Sequence, residues 1–105
     1  MRIYFERSGG FANISSTVDI DTSTLPASKV KQVQKLLAKA RFFDQPTRAL
    51  GSPQARDEYQ YQVKITDGDR THTIETSDTA LSQDLANLIE WLEKEAAAHR
   101  KRQTP

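Results

Sequence analysis

The chain opens on an alternating run. In RIYFER, Ile3 and Phe5 fall on one face of an extended strand, and Arg2, Tyr4 and Glu6 on the other. Ile14, Ser16, Val18 and Ile20 alternate again. Between the two runs lies SGGFAN, Ser8 to Asn13, so the pattern predicts a β-hairpin. Gly9 and Gly10 can supply the positive φ that such a connection commonly needs. A second pair of runs follows later. In EYQYQVKITD, Tyr59, Tyr61, Val63 and Ile65 share one face, and Gln60, Gln62 and Lys64 the other. Asp67-Gly68 marks a tight turn, and RTHTIET returns with His72, Ile74 and Thr76 on one face.

Two stretches carry helical spacing instead. DTSTLPASKV reads as a helix start, with Ser23 or Thr24 as cap and Pro26 in the first turn. Val30, Val33, Leu36, Leu37 and Ala40 then form one arc, and Lys31, Lys35 and Lys39 an opposite stripe, ending near Phe42. Asp44 to Arg56, with two prolines and a glycine, reads as a loop with at most a short turn. In the last stretch, Asp78 is the expected N-cap and Leu81, Leu85, Leu88 and Leu92 the buried stripe, widened by Ile89 and Trp91. The order is ββαββα. The expected fold is α+β, a four-stranded, largely antiparallel sheet with both helices packed on one face.

Length adds that 105 residues make one domain, expected over 1–99, with a disordered basic tail over 100–105. An apolar fraction of 36% and a mean hydropathy of −0.69 predict a thin core under a wet surface. The lack of cysteine excludes disulfides and thiolate zinc sites. No stretch reaches the ~18 apolar residues of a membrane span. MRIYFER reads as a strand rather than a secretory leader, so a cytoplasmic location is expected. Net charge is +1, too small for global steering. The charges are unevenly placed: Lys29, Lys31, Lys35, Lys39 and Arg41 lie in an acid-free stretch, and the tail is basic again.

Catalytic chemistry is hard to assemble from these residues. His72 and His99 are the only histidines, and neither belongs to a metal-ligand spacing. Ser8, Ser15 and Ser16 lack the glycines of a nucleophile elbow. SGG is followed by neither a Lys-Ser/Thr pair nor a helix start, as a phosphate loop requires. The pairs Asp19/Asp21 and Asp67/Asp69 fall at strand ends or turns, where solvated carboxylates are common. The expectation is a protein that is not an enzyme and holds no cofactor or metal. Lys31, Lys35 and Lys39 suit either phosphate contacts or the wet face of an amphipathic helix. Tyr59, Tyr61 and Trp91 read as core or core rim. SGGFAN keeps two readings. Phe11 either curls over the sheet edge or projects as an anchor for a partner's pocket.

The run RIYFERSGGFANI resembles the emfourin family, inhibitors of thermolysin-like metalloproteases associated with protealysin in bacteria. The likeness extends to length, lack of cysteine, element order and the Leu-rich last helix. It implies a tight inhibitor with a protealysin-type protease as partner, without nucleic acid or membrane, and a monomer when free. Ser8, Gly9, Gly10, Phe11, Ala12 and Asn13, with Arg7 and Tyr4 beside them, would block the active-site cleft. Such enzymes cleave before bulky apolar residues, so Gly10–Phe11 has the character of a substrate bond. Phe11 would fill the pocket beside the protease's own zinc, and the segment from Arg48 to Arg56 is a weaker second candidate. The alternative is a non-catalytic nucleic-acid-binding module using Lys31, Lys35 and Lys39.

Overall fold

A computed structural model describes residues 1–9, 16–49, 59–77 and 80–103, without the side chains of 48, 49 and 99–103. The strands are β1 (Arg2–Gly9), β2 (Ser16–Asp21), β3 (Arg48–Ala49), β4 (Tyr59–Asp67) and β5 (Arg70–Ser77). The helices are α1 (Ala27–Ala40) and α2 (Gln83–Gln103). The sheet order is β2-β1-β4-β5-β3, and β2, β1, β4 and β5 pair antiparallel. This is the expected ββαββα, α+β arrangement.

One strand was not expected. Arg48–Ala49 pairs parallel to β5, opposite Glu75 and Thr76, and Glu75 N–H donates to the Thr47 carbonyl at 2.7 Å. It occupies the unpaired edge of β5. Two residues are too few to leave an alternating signature within a Pro/Gly-containing stretch.

The alternation decides which face is covered. Ile3, Phe5, Val18, Ile20, Tyr61, Val63, Ile65 and Ile74 turn to one side and are buried there. Val33, Leu37 and Ala40 of α1 and Leu85, Leu88, Ile89 and Leu92 of α2 close over them. The opposite face carries Arg2, Tyr4, Glu6, Thr17, Asp19, Gln62 and Lys64, all exposed or half-buried. One dry and one wet face are what an antiparallel sheet tolerates. His72 lies half-buried on the covered side. Its Nε2 is 2.8 Å from the Gln45 carbonyl, to which it donates, and its ring meets Phe42 edge-on at 5.5 Å.

The helix starts differ from expectation. Asp21, rather than Ser23 or Thr24, is the cap. Its carboxylate accepts the Ser23 N–H at 3.0 Å and closes a short 3-10 turn, Thr22–Thr24. Leu25, before the proline, is extended with ψ 152°, so the turn and α1 are separate elements. α1 then starts behind Pro26 with no side-chain cap. Arg41 ends it in the left-handed region, φ 49° and ψ 52°. Asp78 lies outside the described residues. α2 begins at Gln83, where Ser82 Oγ accepts the Leu85 N–H at 3.2 Å.

The two helices are tied by polar contacts as well as by the core. Lys29 Nζ reaches the buried Glu95 at 2.6 Å, and Trp91 Nε1–H donates to Gln32 Oε1 at 3.2 Å. Glu95 falls in phase with Leu85, Leu88 and Leu92, so helical spacing alone would place it inward.

Candidate functional site

Strand register brings the ends of two connections, 10–15 and 50–58, to one end of the sheet. β1 ends at Gly9, opposite Tyr59, and β2 begins at Ser16, opposite Arg7. β5 ends at Ser77, opposite Gln60, and Ala49 of β3 lies opposite Thr76. Gly9, Ser16, Ala49, Tyr59 and Ser77 therefore meet at this end. The chain leaves it and returns to it through residues 10–15 and again through 50–58. Gly9 has φ 85°, a conformation easy only for glycine, at the point where β1 hands over to SGGFAN.

The expected site residues divide around this end. Gly10, Phe11, Ala12 and Asn13 lie outside the described residues. Ser8 and Gly9 form the last positions of β1. Tyr4 and Arg7, expected as joint flanks of the loop, stand on opposite faces of β1. Tyr4 is on the open face, where its hydroxyl donates to Glu6 Oε2 at 2.9 Å. That bond holds the phenol's pKa above its ordinary value, because ionisation would lose it. Arg7 is on the helix-covered face. Its Nη1 lies 3.3 Å from Glu93 Oε1 of α2, and its guanidinium carbon 4.8 Å over the Tyr59 ring. Its Nε is buried and makes no hydrogen bond among the described residues. The parity of RIYFER carries this split already: Arg7 is in phase with Ile3 and Phe5, whereas Tyr4 is not.

Glu93 and Tyr59 were missed as parts of this end. Tyr59 was expected in the core, and Tyr61 is there at 6% exposure. Tyr59 is one position further out on the same face, past the last fully covered row, and is 37% exposed. On the open face a shallow polar groove reaches the same end, lined by Glu6, Ser8, Gln60, Gln62 and Glu75. Among the described residues, no cluster of His, Asp and Glu could hold a metal. The lysine stripe is on a different surface. Lys31, Lys35 and Lys39 are exposed along α1, and the last two border a small apolar groove with Leu36 and Trp91.

A family model described as Emfourin matches residues 5–93. The chain belongs to the Emfourin family. No curated protein and no solved structure matched it. The Emfourin match runs from within β1 to Glu93 on α2, so it takes in SGGFAN, Arg7 and the whole sheet apart from the first residues of β1. Emfourins are protease inhibitors, and the family implies a protease as partner. Inhibition asks for a shaped surface on a stable scaffold and for no catalytic group of the inhibitor's own.

Proposed function

We propose that this emfourin inhibits thermolysin-like, protealysin-type zinc metalloproteases, and that the end of the sheet bearing SGGFAN enters the active-site cleft. The observation that supports this reading best is the convergence of Gly9, Ser16, Ala49, Tyr59 and Ser77 at one end. The described residues bounding 10–15, Gly9 and Ser16, thus share this end with Ala49 and Tyr59, which flank 50–58. Phe11 fills the pocket that accepts a bulky apolar residue. Gly9 and Gly10 leave no Cβ between backbone and cleft. The zinc is the protease's, and this chain contributes shape and contact.

One anchor is not enough. Burying a phenylalanine side chain contributes about 1.5–3 kcal/mol, and a nanomolar complex needs about 12 kcal/mol. The remainder comes from the neighbouring 50–58 connection and from the open face around Tyr4 and Ser8. Holding the segment on paired strands reduces the ordering lost on binding and keeps Gly10–Phe11 off the geometry of cleavage. We place the inhibitor in the cytoplasm as a monomer. Titrating a thermolysin-like protease with the purified chain tests the reading. A stoichiometric fall in peptidase activity is expected, and full activity at excess inhibitor would refute it.

A further inference from the structure

Arg7 is the residue nearest the inhibitory segment whose side chain the fold holds on three sides. It belongs to β1, pairs with Ser16 at the last described position of the β1–β2 ladder, and faces inward. Glu93 comes to it from α2 at 3.3 Å, and Tyr59 from the first position of β4, its ring under the guanidinium at 4.8 Å. Arg7 touches both. Its side chain is 28% exposed and that of Glu93 33%, so the pair is partly shielded from solvent and salt. The planar guanidinium can present an edge to the carboxylate and its face to the ring at once, which a lysine cannot.

We propose that Arg7 is a positioning residue, not a protease contact. With Glu93 and Tyr59 it clamps the end of β1 to β4 and α2, and so fixes the direction in which the chain leaves the sheet after Gly9. This rests on the inhibitor reading above. A clamp acts by raising the fraction of molecules whose exit strand is already in the binding geometry. Losing it lowers apparent affinity by that fraction without removing any contact with the partner.

The test is a double-mutant cycle on inhibition of a thermolysin-like protease, with thermal unfolding checking that each variant is folded. Glu93→Gln and Tyr59→Leu are each expected to weaken inhibition about fivefold, the scale of a half-shielded ion pair or a cation–π contact. The fall should be in the association rate, because the contacts made once bound are intact. In an Arg7→Ala background, Glu93→Gln should change inhibition by less than about twofold, because its partner is already gone. If the losses from Arg7→Ala and Glu93→Gln add, or if both partner variants inhibit like the intact chain while Arg7→Ala does not, Arg7 is a contact residue and the clamp is refuted. A second readout needs no protease. Amide exchange at Ser8, Gly9 and Ser16 should quicken in Glu93→Gln, and unchanged exchange there would overturn the clamp. An intact chain that fails to inhibit while Glu93→Gln still quickens exchange would sink the inhibitor reading and leave the clamp as a feature of the fold.

Discussion

The two hairpins of this sheet are joined by very different sequences. At one end, β4 and β5 remain paired up to Asp67 and Arg70 and turn through Gly68 at φ 60°. Arg70 bridges back to Asp67 at 3.5 Å and lies 4.0 Å over the Phe43 ring. At the other end, the β1–β2 pairs among the described residues reach Arg7 and Ser16, and β1 stays paired with β4 as far as Gly9. Both hairpins meet the same requirement of joining antiparallel neighbours. One does so with the shortest connection the geometry favours. The other includes a phenylalanine that closure alone does not need. On the proposed function, the tight hairpin serves stability and the one bearing SGGFAN serves recognition, so each should be open to perturbation without the other.

The largest separation is expected from Phe11→Asp. It removes the apolar anchor and forces a charge toward an apolar pocket, so inhibition should fall at least about 100-fold. If Phe11 serves as the proposed anchor, thermal unfolding should stay within about 0.5 kcal/mol of the parent. Gly68→Ala perturbs the other hairpin. A Cβ there would meet nothing within 4 Å, so the penalty is the positive φ alone. Denaturant unfolding should show a loss of about 1–2 kcal/mol, with inhibition unchanged. Arg70→Ala removes a solvent-exposed ion pair and the stacking on Phe43. A loss below about 1 kcal/mol is expected, partly masked at high salt, again with inhibition unchanged.

The smallest effect is one of pH. Asp21, beside the tight-turn end, has its carboxyl held below the ordinary value, first by the Ser23 hydroxyl at 2.8 Å and then by the Ser23 N–H. A carboxyl with a lower pKa folded than unfolded adds stability above the unfolded value, about 4, and loses it as pH falls through the folded value. Asp21→Asn should therefore be less stable than the parent near neutrality and approach it as pH falls through the lowered folded value. A constant gap across that range would contradict the assignment.

How far the sequence carried these distinctions differs by region. The strands were legible because a half-buried strand writes its face into every second residue. Ile3 and Phe5, Tyr61 to Ile65, and Ile74 all fall where alternation puts them. Helix ends were less so. Capping depends on a single side chain, and Asp21 and Ser82 compete with several equally polar neighbours. β3 left no signal because two residues cannot alternate. For the candidate site, SGGFAN was visible as an anomaly of composition, but Gly10 to Asn13 lie outside the described residues. The inward turn of Arg7 was present in the parity of RIYFER. Its partners were not, because Tyr59 and Glu93 are brought to it by strand register and helix packing from 52 and 86 residues further along the chain.

The central claim is that the long hairpin, and not the scaffold at large, makes this emfourin an inhibitor. It is tested most directly by titrating one thermolysin-like protease with the intact chain, Phe11→Asp and Gly68→Ala, each shown to be folded. Inhibition by the intact chain and by Gly68→Ala, with none by Phe11→Asp at the same excess, is the predicted result. Equal inhibition by all three, or none by the intact chain, would contradict it.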